Sequence, residues 1–88
     1  MRIKEGYMLR ETGDSRMVVA CEPNAGSFRG MIRLNQSAAM LYRMLEQGAT
    51  EDQLTDALLR TYRVDEPRAR ADVVAFLDLL ADTGLLTD

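Results

Sequence analysis

Residues 31–58 read MIRLNQSAAMLYRMLEQGATEDQLTDAL. The stretch opens with alternation, in which Ile32 and Leu34 are apolar, and changes after Asn35 to an apolar spacing of three and four residues. An asparagine side chain can accept hydrogen bonds from the first turn of a helix, and Gly48 can adopt the left-handed conformation that ends one. The stretch therefore predicts a strand with Ile32 and Leu34 directed inward, followed at once by a helix from Asn35 to Gly48.

Two more helices are predicted downstream. Thr50 and Gln53 match the reciprocal capping box, so a second helix is expected to begin at Glu51. Asp65 stands just before Glu66 and Pro67, a pattern typical of a helix start, and this third helix is expected to run to Gly84. Its predicted core-facing residues are Ala69, Val73, Phe76, Leu77 and Leu80.

The first third of the chain has the character of short strands and turns. Residues 7–11 and 16–21 are rich in aliphatic or β-branched side chains, and the Thr-Gly-Asp-Ser segment at 12–15 has the composition of a hairpin turn. Residues 22–28 contain Pro, Asn, Gly and Ser and predict a loop, after which residues 30–34 form the third strand.

The order of these elements predicts an α+β fold in one domain of 88 residues. A three-stranded antiparallel sheet is expected in residues 1–34 and a three-helix bundle in residues 35–88. Short second and third helices favour a winged-helix-like arrangement.

Composition excludes several classes of protein. The net charge is −3, with 11 basic and 14 acidic residues, whereas a nucleic-acid binder of this size usually carries a basic excess on one face. No apolar run approaches the roughly 20 residues needed to cross a bilayer. Cys21 is the lone cysteine and no secretory signal pattern is present, so a cytoplasmic location is expected, with no membrane and no nucleic acid as partners.

The side chains of most catalytic and metal sites are missing. Histidine is absent and Cys21 has no second thiol, so zinc, haem and Cys-His constellations are excluded within one chain. Carboxylates such as Asp52, Asp65 and Glu66 stand at predicted helix starts, where they act as caps and favourable charges. We therefore expect no enzymatic activity, no metal and no cofactor, and Cys21 is interpreted as a small apolar residue.

The order and spacing of the apolar residues over nearly the whole chain resemble the PqqD-like family. The resemblance rests on the Leu34-Asn35 junction, on Leu45 before Gly48-Ala49-Thr50, and on a set of apolar and glycine positions in the second and third helices. These are Leu54, Leu58, Val73, Phe76, Leu77, Leu80, Gly84, Leu85 and Leu86.

The resemblance implies a winged-helix-like domain that recognises ribosomally made, post-translationally modified peptides. Such a domain binds the leader segment of the precursor and delivers it to a modifying enzyme, commonly a radical S-adenosylmethionine protein that carries its own iron–sulfur cluster. On this reading the chain is a non-catalytic peptide chaperone with a precursor peptide and a modifying enzyme as partners, and it holds no cofactor.

The predicted binding mode is β-strand addition. An edge strand presents unpaired N–H and C=O groups that an extended peptide can complete. The third strand is the predicted docking strand, with Met31 and Arg33 directed outward, and an apolar strip with a charged end on the third helix is expected to close the groove. The predicted peptide-binding residues are Gly30, Met31, Ile32, Arg33, Leu34, Arg70, Val74, Leu77 and Ala81.

Three other readings remain open from the residues alone. Residues 30–34 can be an ordinary edge strand on which Arg33 opposes aggregation, with Val74 packing in a homodimer. The alternative function is a winged-helix DNA-binding regulator, because arginines cluster near the start of the third helix, although acidic residues accompany them. A structural or dimerisation module within a larger complex is the third. Arg29 is assigned no role.

Overall fold

The structure, a computed structural model, describes residues 1–20 and 31–87, and for Ala20 and Met31 the backbone alone. The described elements are β1 (Arg2–Ile3), β2 (Tyr7–Thr12), β3 (Ser15–Ala20), β4 (Met31–Arg33), α1 (Gln36–Gln47), α2 (Glu51–Thr61), α3 (Glu66–Asp82) and β5 (Leu86–Thr87). The predicted α+β order, with a three-stranded antiparallel sheet before three helices, is confirmed. Cys21, Arg29, Gly30 and the loop predicted at 22–28 lie outside the described residues.

The hairpin of β2 and β3 has the turn that its sequence predicts. Thr12 pairs with Ser15, which leaves Gly13 and Asp14 as a two-residue loop. The φ of Gly13 is 58°, whereas the φ of Asp14 is negative. This combination matches a type II′ turn with glycine at its first central position. This turn suits the right-handed twist of paired strands, so it fixes the pairing between β2 and β3.

Local capping explains where α1 and α2 begin and end. The Asn35 side chain accepts from the Ala38 N–H at 2.8 Å, and Gly48 ends α1 with a φ of 93°. Thr50 and Gln53 form the reciprocal box, with Thr50 N–H to Gln53 Oε1 at 2.9 Å and Gln53 N–H to Thr50 Oγ1 at 3.1 Å. Both predicted helix starts are confirmed.

The third helix also begins as predicted, but it ends at Asp82, two residues before the predicted Gly84, whose φ of 80° is not helical. The Asp65 side chain accepts from the Arg68 N–H at 3.0 Å, and Pro67 lies in the first turn, where its missing N–H costs no hydrogen bond. The five residues predicted to face the core from this helix are all buried, namely Ala69, Val73, Phe76, Leu77 and Leu80.

The two ends of the chain form a second sheet that the sequence analysis missed. Arg2 pairs with Thr87 and Ile3 with Leu86 in an antiparallel ladder, and the Lys4 N–H donates to the Leu85 carbonyl at 2.7 Å. The division into a sheet in residues 1–34 and helices in residues 35–88 is therefore corrected at its C-terminal end. Strands of two residues carry no periodicity, so no sequence pattern could have revealed them.

One apolar core joins the inner face of the sheet to all three helices. Val18 and Ile32 contribute from the sheet, Tyr42 from α1, Leu54 from α2 and Leu80 from α3. Within the described residues, no helix is long and apolar enough to span a membrane.

The adjacent valines of α3 allow a matched test of this core. Val73 is buried, whereas Val74 is 39% exposed on the same helix. We expect Val73→Ala to lower the free energy of unfolding by about 2 kcal/mol, because two buried methyl groups are lost and a cavity remains. Val74→Ala should change it by no more than about 0.5 kcal/mol. Urea denaturation of the two variants measures the difference, and equal effects would contradict the orientation of α3.

Candidate functional site

The β4 strand forms one edge of the three-stranded sheet. It pairs on one side with β3, with Arg33 opposite Met17, Ile32 opposite Val18 and Met31 opposite Val19. Among the described residues, no strand lies on its other side. The predicted docking strand is thus an edge strand, as strand addition requires.

The hydrogen-bonding phase of β4 decides which of its backbone groups face the open side. The Leu34 N–H donates to the Arg16 carbonyl at 2.8 Å. Because opposite residues in an antiparallel pair alternate between bonded and non-bonded positions, the next bonded residue is Ile32. The N–H and C=O groups of Met31 and Arg33 are therefore directed away from β3 and toward the free edge.

The side chains of β4 alternate between the core and the outer face of the sheet. Ile32 and Leu34 are buried, with 8% and 5% of their surface exposed, so these two residues hold the strand to the core. Arg33 is exposed. Gly30 and the side chain of Met31 lie outside the described part of the chain.

The predicted strip on α3 is narrower than the sequence indicated. Leu77 is buried in the core, because its position on the helix falls on the inner face with Val73 and Leu80. Val74 and Ala81 are exposed, as predicted. Leu79, which was not predicted as exposed, has 42% of its surface open to solvent. An aliphatic residue that does not belong to the buried stripe of its helix was the signal that could have identified it.

Arg70 lies at one end of the strip and is already engaged by carboxylates. Its guanidinium donates to Glu51 at 2.7 Å and contacts Asp52 at 3.1 Å, which ties α3 to the first turn of α2. The hydrogen bonds to Glu51, and then to Asp52, raise the pKa of Arg70. Arginine remains protonated in either case, so this shift creates no pH switch. The positive charge of Arg70 is therefore balanced by carboxylates of the same chain.

Two clefts among the described residues lie away from the predicted residues. One, of about 840 Å³, lies between α1 and α2 and includes Met40, Met44 and Arg60. A smaller one, of about 290 Å³, is lined by residues that include Asn35 and Leu58. Neither is lined by any of the predicted peptide-binding residues that the structure describes. An added strand requires an open backbone edge and not a deep pocket.

Two arginines near the start of α3 carry their own counter-charges. Arg68 contacts Asp72 at 3.3 Å, and Arg70 is held by Glu51 and Asp52. A recognition helix needs free cations for phosphates and base edges, so the DNA-binding reading is not favoured. Across residues 1–20 and 31–87, no three cysteine or carboxylate side chains are grouped as a metal site.

Comparison with known proteins places the chain in a family. The chain belongs to the family of the coenzyme PQQ synthesis protein D (PqqD), whose pattern matches residues 18–86. The resemblance expected from the sequence is confirmed.

Two solved structures share the fold. One is TbiB1 in complex with the TbiA(beta) leader peptide, with a TM-score of 0.79, 22% identity and full coverage of both chains. The other is lasso peptide synthetase B1 complexed with the leader peptide, with a TM-score of 0.78 and 18% identity over 99% of this chain and 96% of that one. At these identities the likeness establishes the arrangement of strands and helices.

Amide hydrogen exchange followed by NMR tests the phase of β4. We expect the Ile32 and Leu34 amides to exchange about tenfold more slowly, or slower still, than the Arg33 amide, because the first two donate to β3 and the third faces the open edge. Val18 in the central strand is the internal reference for a protected amide. Equal protection of Arg33 and Ile32 would mean that the edge is covered or that the register is shifted by one residue.

Proposed function

We propose that this chain is a non-catalytic binding protein for the leader segment of a ribosomally made precursor peptide, which it presents to a modifying enzyme. The observation that carries the proposal is the open edge of β4, where the backbone groups of Met31 and Arg33 face outward. An extended peptide can pair with these groups and become a fourth strand. Membership of the PqqD family supports the same function.

The two solved neighbours support the identity of the ligand. TbiB1 and lasso peptide synthetase B1 were each solved with a leader peptide, and both share the fold of this chain. A leader peptide is a chain segment that can be read mainly through its backbone, and an edge strand offers backbone partners. The proposed ligand and the edge strand would therefore bind through the same kind of contact, namely hydrogen bonds between backbone groups.

The residues of the docking strand divide into two roles in this proposal. Met31 and Arg33 offer the hydrogen-bonding groups, and the exposed guanidinium of Arg33 is available to an acidic leader residue. Ile32 and Leu34 anchor the strand, since their side chains are buried and their amides face β3. Gly30 is proposed as the first residue of the docking strand.

The α3 helix supplies the proposed second wall of the groove. Val74 and Ala81 offer exposed apolar surface to side chains of the leader. Leu77 supports this wall from the core, and Arg70 closes one end with a charge that is already balanced by Glu51. Apolar contact on one side and backbone pairing on the other would together hold an extended peptide.

The proposed second partner is the enzyme that modifies the precursor, a radical S-adenosylmethionine protein that carries its own iron–sulfur cluster. This chain contributes binding and orientation and no cofactor. The precursor is made on ribosomes, so the cytoplasm is the proposed place of action. A homodimer is compatible with the exposed apolar residues of α3, such as Leu79.

Two substitutions of Arg33 separate backbone pairing from side-chain contact. Arg33→Ala keeps the outward N–H, whereas Arg33→Pro removes it and is tolerated on an edge strand. By calorimetry with the synthetic leader encoded near this gene, we expect Arg33→Pro to bind about tenfold more weakly than Arg33→Ala, because one hydrogen bond is lost and the proline ring obstructs the partner strand. Circular dichroism checks that both variants fold.

The outcome of this comparison decides the binding mode. Equal affinities of the two folded Arg33 variants would contradict strand addition at β4. Absence of any leader binding by the unaltered protein would contradict the proposed function as a whole.

A charge placed on α3 tests the second wall. We expect Val74→Asp to weaken leader binding by about tenfold, because a carboxylate must lose water to stand against an apolar leader side chain. Leu79→Asp is the matched control, since Leu79 is exposed to a similar extent but lies on a different side of the helix. Fluorescence anisotropy with a labelled leader measures both affinities. If Leu79→Asp proves the more damaging change, the peptide contacts the other side of α3.

A further inference from the structure

The outer face of the three-stranded sheet has a composition that neither the fold nor leader binding explains. The register places Met8 opposite Val19 in one cross-strand row, and Arg10, Met17 and Arg33 side by side in the next. Cross-strand neighbours share a face, and the row of Leu9, Val18 and Ile32, which packs in or against the core, belongs to the inner one. The five residues Met8, Arg10, Met17, Val19 and Arg33 are called the outer patch below.

The outer patch is apolar at its centre. Met8 is 44% exposed, and Met17 and Val19 are half-buried although, among the described residues, neither packs against the hydrophobic core. Antiparallel sheets with one solvated face usually carry polar residues there. Methionine adapts its shape to varied partners and is frequent at protein-binding surfaces.

The charged residues of the outer patch are all positive. Arg10 and Arg33 flank Met17, and none of the described strand residues on this face is acidic. Glu11, the acidic residue of β2, belongs to the inner face, where it pairs with Arg43 of α1 and approaches Arg16 at 3.8 Å. A chain with a net charge of −3 therefore presents a local positive surface around an apolar centre.

We propose that the outer patch is the docking surface for the modifying enzyme, through an apolar side chain of the enzyme beside a carboxylate. The inference rests on the proposed function and identifies where its second partner binds. The apolar residue packs among Met8, Met17 and Val19, and a carboxylate pairs with Arg10. Arg33 adds positive charge at the side of the patch next to the leader, where its guanidinium stays available to the peptide. Complementary charge of this kind orients a partner and speeds its association.

Charge also argues against a second copy of this chain as the occupant. A two-fold symmetric contact would bring the same surface of each copy together. Arg10 and Arg33 would then face the arginines of the other copy, with no carboxylate on the patch to balance them. Like charges in such a contact are unfavourable, so the patch fits an acidic partner.

The position of the outer patch suits the transfer of a peptide. Arg33 belongs both to the docking strand and to the patch, so an enzyme on this face would lie directly beside the bound leader. Met8 and Arg10 lie on β2, two strands from the open edge of β4, or about 10 Å at the usual strand spacing. They can therefore be changed without touching the leader site.

The double variant Met8→Thr/Arg10→Glu tests the proposal, because threonine suits a strand and the second change reverses a charge. The control is Arg63→Glu, which reverses an exposed charge in the connection between α2 and α3. Biolayer interferometry with the purified enzyme encoded beside this gene measures enzyme binding, and calorimetry with the synthetic leader measures peptide binding. We expect at least about tenfold weaker enzyme binding with unchanged leader binding for the double variant, and no change for Arg63→Glu.

Three results would overturn the inference. Unchanged enzyme affinity in the double variant, with leader binding intact, would remove the outer patch as the docking surface and leave the proposed function standing. An equal loss of enzyme affinity in Arg63→Glu would show a general charge effect without a specific surface. A dimer seen by analytical ultracentrifugation and lost in the double variant would assign the patch to self-association.

Discussion

The hydrogen bond from the Leu34 N–H to the Arg16 carbonyl sets the phase of β4, and the candidate site depends on that phase. With Leu34 bonded to β3, Ile32 is bonded as well, and both side chains enter the core. Met31 and Arg33 are then left with backbone groups directed outward. A shift of the β3–β4 register by one residue would turn every side chain and backbone group of β4 to the opposite side. Burial of Ile32 and Leu34 opposes such a shift, and it therefore also keeps the backbone groups of Met31 and Arg33 at the edge.

The rest of the fold keeps this short strand in place, and none of the described strands pairs with its outer edge. The tight turn at Gly13 and Asp14 fixes β2 against β3, and β3 supports β4. Helix α3 packs its buried stripe into the same core, and Arg70 binds it to the start of α2. The apolar and cationic outer face of the sheet lies opposite the face that packs into the core. Within the described part of the chain, the edge strand and the outer face of the sheet thus share Arg33.

The helices were the most predictable part of this protein, because their signals are local. Asn35 and the box of Thr50 and Gln53 act within one turn of their own helices, so the residue types alone indicate the starts. The site was predictable only in part. The helical spacing predicted Leu77 both as a core residue and as part of the exposed strip of α3. In the structure Leu77 is buried in the core. The positive charge of the outer sheet face could not be predicted from the sequence, because it depends on how three strands pair.

By itself, the sequence determined the order of the three main strands and the three helices, the helix starts, the hairpin turn and the family, because each depends on neighbouring residues or on their spacing. Only the tertiary structure decided which backbone groups of β4 remain open, since that follows from its register with β3. It also decided that β1 and β5 pair, because Ile3 and Leu86 come from opposite ends of the chain. Contacts between distant segments depend on how the core closes, and no local pattern encodes them.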